Sequence, residues 1–396
     1  MIDLRLKIKE QVNTNLSEVV SCRRWLHQHP ELSFREYETA KFISQKLDEM
    51  GIDYSGGYAG TGIVAKLKGA SDNGKVVALR ADIDALPIEE ENEFEYKSVN
   101  KGVMHACGHD AHTASLLGVA FVLNKLKDFW SGTVLFIFQP GEEVIPGGAS
   151  QIISAGGLDN PKPDLIIGQH VLPEMESGHV GFKKGTIMAS SDEIYITVNG
   201  KGGHAALPHL VNDSVLAASQ IVVNLKQMVC ETVPKIEPVI LAFGKIEGKG
   251  AINVIPNKVE IEGTLRTLNE EWRSIIKEKI VSIATQIAES HGCTCYVNIK
   301  AGYPSLCNDE QITEKATLFA QEFLGENNVE ELEIRMTAED FSYYSQKFPS
   351  TFYRFGIKNK NEATNSLHTS RFNMNESSLE TSVGVMSWLA VKFLNE

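Results

Sequence analysis

The sequence predicts an α/β protein in which a main domain, with helices around a mainly parallel mixed sheet, carries an inserted ferredoxin-like (βαββαβ) satellite domain. Three observations lead there. Short β-rich runs alternate with helix-patterned segments through the first half of the chain. Near Ser190 the rhythm changes to a βαββαβ order about 110 residues long, the signature of a ferredoxin-like unit. After Tyr303 the pattern returns to helix, strand, helix. The expected boundaries are 1–187 for the first part of the main domain, 188–301 for the satellite and 302–396 for the second part.

From Asn13 to Glu49 apolar residues recur at helical spacing and break at His29-Pro30, where proline disfavours helix for the residue before it. Two helices follow from that. TGIVAKLKG, KVVALRADIDALP, GTVLFIFQPGEE and PDLIIGQHV are β-rich or apolar runs ending in polar residues, and HTASLLGVAFVLNKLKDF between them has helical periodicity. Parallel sheets bind ligands beyond the carboxyl ends of their strands, and Asp82, Asp84, Glu142, Glu143 and His170 fall at or just past those predicted ends. In the satellite, DEIYITVNG, PVILAFGKIEG, KVEIEGTLRTL and CTCYVNIKAG read as strands, with helices over SVLAASQIVVNLKQMV and EEWRSIIKEKIVSIATQIAES. STFYRFGI and the closing SSLETSVGVMSWLAVKFLNE rejoin the main domain as strand and helix.

The chain has 396 residues, of which 42% are hydrophobic and 22% charged, enough for a sizeable core. No run of about 18 uncharged apolar residues occurs, so no membrane span is expected. Lys and Arg number 38 against 51 Asp and Glu, a net charge of −13 that disfavours nucleic acid and anionic membrane surfaces as partners. The N-terminus lacks an apolar h-region, so the expected localisation is cytoplasmic. Six Cys are too sparse for a disulfide scaffold. The Cys293 and Cys295 pair alternates along a strand and reads as packing.

The densest chemical signal is GVMHACGHDAHT, with His105, His109 and His112 around Cys107. Cys107 and His109 flank Gly108 at a loop-to-helix junction, where thiolate and imidazole together suit zinc or a neighbouring transition ion. A zincin-type pair at His105 and His109 fails, because Ala106 stands where that motif needs Glu. A rival reading makes Cys107 a nucleophile, its pKa lowered by the helix N-terminus. Glu142 and Glu143 follow an apolar strand and a Pro-Gly turn; adjacent carboxylates there repel unless a cation or proton intervenes. One can ligate a metal while the other takes a proton from water. His170 is a further candidate ligand. His368, in the polar segment NSLHTSRF, reads on composition alone as a surface loop residue. His29 and Glu31 of HPELS read as parts of a helix break and restart.

RRWLHQHPELS, LRADIDALP, GVMHACGHDAHT, FQPGEE, GGHAALPH, NVIP and LHTSRF resemble, in order and spacing, the metal-dependent amidohydrolases that include hippurate hydrolases, N-acyl-amino-acid deacylases, N-acetyldiaminopimelate deacetylases and auxin-conjugate hydrolases. Aminoacylases and carboxypeptidase G are more distant relatives of the same two-domain plan. The resemblance covers nearly the whole chain and makes the main domain catalytic. It implies two divalent transition metal ions per subunit, zinc first and manganese, cobalt or nickel as substitutes. Cys107 would bridge them, with His109 and His170 on one ion and Glu143 and His368 on the other. Glu142 would be the general base. Asp84 matches a residue that orients a ligand, although Asp82 stands where the wider group has its first His and His109 takes that place. His204 matches a residue that reaches across a dimer to polarise the scissile carbonyl, and Asn253 and Arg266 match groups near the substrate carboxylate. Arg266 also reads as a structural salt-bridge partner, and His209 of ALPH has no assigned role. The implied activity is hydrolysis of small N-acyl amino acids by water, without a covalent intermediate, in a homodimer or tetramer. A dipeptidase or carboxypeptidase of the same fold, a catalytically silent binding protein and a thiol hydrolase remain as alternatives.

Overall fold

The computed structural model describes residues 4–360 and 365–396. By internal contacts the chain forms two compact units: Met1–Gly185, Cys307–Glu333 and Asp340–Glu396 make the first, and Thr186–Leu306 with Ile334–Glu339 the second. Each is an α/β structure.

In the first unit the strands are β1 (Asp53–Tyr58), β2 (Gly62–Lys68), β3 (Val76–Asp82), β4 (Thr133–Gln139), β5 (Leu165–Glu176) and β6 (Val180–Phe182). Its helices in that stretch are α1 (Leu4–Gln28), α2 (Tyr37–Met50) and α3 (His109–Lys125). Every residue from His109 to Ala120 is buried, as expected of a helix that is apolar nearly all round.

The second unit contributes β7 (Asp192–Asn199), α4 (Ser214–Thr232), β8 (Val239–Gly248), β9 (Lys258–Thr267), α5 (Glu270–Ser290) and β10 (Thr294–Ala301). Its sheet runs β8-β9-β7-β10, all antiparallel, which is the ferredoxin-like order. Alternation along β7 turns Ile194, Ile196 and Val198 into a core shared with Ile221 of α4 and Ile276 and Ile280 of α5. Asp213 and Asn269 cap the two helices by accepting backbone N–H bonds in the first turn. At the start of β7, buried Asp192 takes a two-pronged bond from Arg273, at 2.7 and 2.9 Å. The short segment Ile334–Glu339 belongs to this unit although no sequence pattern marks it.

The chain completes the first unit with α6 (Glu310–Leu324), β11 (Val329–Glu331), β12 (Ser350–Lys358) and α7 (Ser378–Leu394). The eight-stranded sheet has the order β1-β2-β4-β3-β5-β12-β6-β11. Its centre, β4-β3-β5-β12, is parallel and nearly all buried, which accounts for the continuous apolar runs. Strand β1, DYSGGY, escapes sequence recognition because two glycines replace the β-branched residues that mark strands. Among the described helices none is long and apolar enough to cross a membrane.

The carboxyl ends of the parallel strands position the polar residues. Strand β3 runs into Asp82 and Asp84, β4 into Pro140–Glu143. His170 needs a correction: β5 continues to Glu176, so the residue lies within the strand rather than at its end. Pairing with β3 nevertheless stops at Gly168, and His170 stands past that last paired position, level in register with Asp82 at the end of β3.

Candidate active site

Gly108 caps α3 with φ +82°, and a Cβ there would approach Val171 Cγ2 to 2.7 Å. Only glycine fits, and its left-handed turn brings Cys107 and His109 to one place. Cys107 Sγ lies 3.5 Å from His170 Nε2. His368 has φ +60° and donates its backbone N–H to Ala106 O at 2.8 Å, which ties the C-terminal segment to the Cys107 loop. Its Nε2 is 3.3 Å from Glu143 Oε1. Donor atoms of Cys107, His109 and His170 lie within 4.8 Å of one another, and the same holds for Cys107, Glu143 and His368 and for His109, Glu142 and Glu143.

All six residues therefore meet at one cluster. Two of its buried atoms, His109 Nε2 and Glu143 Oε1, make no hydrogen bond. Buried polar atoms are paired as a rule. A thiol, three imidazoles and a carboxylate converging on two orphaned lone-pair atoms fit divalent transition ions, and no softer or harder class matches that donor set as well.

Asp84 sets the geometry. Its Oδ1 is 3.2 Å from His109 Nδ1, and its Oδ2 accepts Ser33 Oγ at 2.6 Å and the Glu143 N–H at 3.0 Å. The Asp84 carbonyl is also 3.0 Å from His109 Nδ1. With Nδ1 donating, the Nε2 lone pair faces the cluster. Burial opposes ionisation of Asp84, but the His109 bond and the Ser33 and Glu143 donors hold its carboxyl below the usual range.

Asp82 and His112, near enough to offer a second cluster, are otherwise engaged. Arg80 Nη1 holds Asp82 Oδ2 at 2.7 Å, while Asp82 Oδ1 lies 2.6 Å from His112 Nδ1. His112 Nε2 accepts the Val171 N–H at 3.0 Å. The imidazole is thus a neutral link between β3 and β5, pushed down by burial. Arg80 also bonds Gln139 and Asp340, so one buried guanidinium joins the ends of β3 and β4. His105 is buried beside these groups; burial pushes its imidazole down to about 4, and neither ring nitrogen has a hydrogen-bond partner.

The nucleophile reading of Cys107 loses its premise here. Burial, reinforced by the Glu143 carboxylate, pushes the thiol up, whereas coordination deprotonates a thiol outright. His29 and Glu31 stay outside the cluster: His29 Nδ1 bonds Trp25 O, and Glu31 accepts the Thr39 N–H and hydroxyl at the start of α2. Sequence reading passed over a buried network in which Asp110 accepts Arg23 Nε at 2.8 Å and meets His27 at 2.8 Å, with His27 reaching Glu90 at 3.0 Å. The only signal was Arg23 and His27 four apart on one helix face.

Within the second unit, His204 is exposed and pairs across a short two-stranded ladder with Val254. Its Nδ1 accepts the Ala206 N–H, and Ala205 N–H bonds Asn253 O at 2.9 Å, so His204 and Asn253 share one small hairpin-like site. Arg266 lies on β9, half-buried, donating to Thr264 Oγ1 and Leu265 O. It makes no ion pair among the described residues, which removes the salt-bridge reading. His209 is exposed in a 3₁₀ turn.

Residues 78–392 match the model of peptidase family M20/M25/M40. The chain belongs to that family. An N-acetyl-L-cysteine deacetylase of Bacillus subtilis is 42% identical over 356 residues, covering 89% of this chain and 84% of the relative. A thermostable carboxypeptidase of Saccharolobus solfataricus is 37% identical over 399 residues, the whole of both chains. Among solved structures, the B. subtilis YxeP protein, described as a dinuclear metal binding peptidase from the M20 family, is 34% identical with a TM-score of 0.83, covering 97% of this chain and 99% of that one. This M20 chain is accordingly a hydrolase, with candidate metal-ligand clusters at the strand ends.

Proposed function

We propose that this enzyme hydrolyses the amide bond of N-acyl amino acids, with N-acetyl and N-benzoyl groups as the acyl classes to test first. The observation that carries the reading is the convergence of Cys107, His109, His170, Glu143 and His368 on orphaned buried atoms, with the Glu142 carboxylate beside them. Cys107 is the proposed bridging ligand, His109 with His170 and Glu143 with His368 the proposed pairs, and zinc the first candidate ion. When bound, two divalent ions supply Lewis acidity that lowers the pKa of a water and polarises a carbonyl. Glu142 takes the proton of the attacking water and delivers it to the leaving amine. Asp84 holds His109 in the tautomer that presents Nε2.

From the second unit, His204 is proposed to donate to the developing oxyanion, and Asn253 and Arg266 to hold the substrate carboxylate. We place His204 in trans. Strand β8 is the edge of its sheet and exposes Ile240 and Ile246, an edge that a second copy covers in a homodimer. The full-length relation to a carboxypeptidase sustains a second reading, cleavage of a peptide beside its terminal carboxylate. Both use the same machinery and differ in the acyl side. Amine release from a panel of N-acetyl and N-benzoyl amino acids and dipeptides, by stripped enzyme with zinc, manganese, cobalt or nickel added back, separates them. Turnover of dipeptides alone selects the peptidase, and full activity in excess chelator refutes both.

A further inference from the structure

The segment that joins α1 to α2 reads from sequence as a helix break and restart, yet its side chains reach both strand-end loops of the site. Leu32 forms a parallel bridge with Ala85, whose N–H donates to Glu31 O at 2.8 Å. Ser33 Oγ donates to Asp84 Oδ2 at 2.6 Å. Phe34 has φ +63°, a left-handed conformation that a bulky side chain rarely adopts. Its ring lies against Gly141, which has φ +62° and where a Cβ would come within 2.4 Å of the ring. Glu36 is fully buried: its Oε1 accepts the Phe34 N–H at 2.8 Å and the Gly141 N–H at 2.9 Å, and its Oε2 accepts the Thr61 hydroxyl at 2.6 Å. One carboxylate thus joins its own turn, the residue before β2 and the loop that carries Glu142.

We propose that residues 32–36 are a brace for the catalytic loops and that Glu36 is a positioning residue for Glu142, a role that rests on the reading of Glu142 as general base. Gly141 supplies the freedom the loop needs to turn, and an acceptor on the Gly141 N–H limits that freedom one residue before Glu142. Glu36 holds it from below, Phe34 fills the space beneath it, and Ser33 reaches Glu143 through Asp84. A left-handed residue persists where the surroundings over-determine it, and here the strained turn is what brings the Phe34 ring and the Glu36 acceptor to the same glycine.

Glu36→Ala should keep two metal equivalents and KM while lowering kcat about 10²-fold, the effect of roughly 1 Å of misplacement. Amide exchange across residues 140–147 should rise. Glu36→Gln should recover most of kcat, because its carbonyl still accepts both N–H groups and the Thr61 hydroxyl can turn to accept from its amide. If Glu36→Ala does not fold, Phe34→Gly decides, since glycine tolerates φ +63° and removes the ring without leaving a buried polar group unpaired; it should lower kcat and raise the same exchange. Wild-type kcat with unchanged exchange in these variants overturns the brace, as does equal loss in Glu36→Gln and Glu36→Ala. Glu142→Gln run in parallel separates the two ideas. If it retains wild-type kcat the general-base reading fails, while exchange at 140–147 still tests the brace.

Discussion

Replacing Asp84 by Asn changes one oxygen to an amide and tests how the ligands are held. In the wild type its carboxylate faces three donors, His109 Nδ1–H, Ser33 O–H and Glu143 N–H. If the amide oxygen stays on His109, the amide nitrogen opposes the Glu143 N–H; Ser33 can rotate to accept, but a backbone N–H cannot. A buried donor left unpaired costs about 1–3 kcal/mol. If the amide flips, its NH₂ opposes His109 Nδ1–H, whose remaining acceptor is the Asp84 carbonyl at 3.0 Å, so the ring loses one of the two acceptors that aim Nε2 at the cluster. Either arrangement disturbs a ligand, and partners of that kind are worth about 10–100-fold in metal affinity, or roughly 1.4–2.7 kcal/mol. Competition between the enzyme and a chromophoric chelator measures the loss, and the thiolate absorption of the cobalt form reports whether Cys107 still binds. Affinity within about twofold of wild type, at unchanged thermal stability, would refute the orienting role of Asp84.

Glu142→Gln should keep metal and lose at least about 10²-fold in turnover, whereas Glu143→Gln, whose oxygen faces His109 and His368, should lose metal; an empty Glu142→Gln beside a loaded Glu143→Gln reverses the pair. His204→Ala should lose roughly 2.7–4 kcal/mol of transition-state stabilisation, and mixing it with Glu142→Gln should regenerate activity through hybrid dimers. Proven subunit exchange without recovery excludes the trans placement. Burial pushes Glu36 up to about 7, so its proton is held more tightly in the folded state; that stability is complete below pH 4.5 and lost as pH rises through 7. In urea unfolding of stripped protein between pH 5 and 8, Glu36→Gln should therefore gain on wild type by up to about 3 kcal/mol, and parallel curves would show that Glu36 is not shifted.

Much of this molecule is legible from local pattern. The alternation of apolar runs and amphipathic segments anticipates the parallel centre of the main sheet, and the βαββαβ rhythm anticipates the second sheet, because both depend on short-range periodicity. Placing Asp82, Asp84, Glu142 and Glu143 at strand ends needs no more than that. What escapes depends on partners distant in sequence. The end of β5 is hidden because pairing with β12 carries the strand past His170 into LPEME, which reads as a loop. Asp84 has its meaning through His109, Ser33 and Glu143, and no spacing along the chain announces that meeting. His368 is exposed, as its polar segment suggests, but its approach to Glu143 escapes composition because its φ of +60° and its bond to Ala106 are products of tertiary structure. Ser33 and Glu36 lie in a segment whose proline explains the helix break so completely that nothing invites a second function.

The first unit is interrupted in sequence by the second, and its proposed ligand set is divided accordingly: Cys107, His109, Glu143 and His170 precede the interruption and His368 follows it. This has a consequence for the order in which the protein is made. On the ribosome the first four residues emerge early, but about 200 further residues must be translated before His368 exists, a delay of roughly 10–40 s at ordinary synthesis rates. During that interval the nascent strand ends display a thiol, two imidazoles and a carboxylate without the fifth donor. A chain cut short between residues 170 and 368 therefore holds the residues of the first three-donor group but not those of the second. The second three-donor group is completed only after the whole of the second unit has been synthesised.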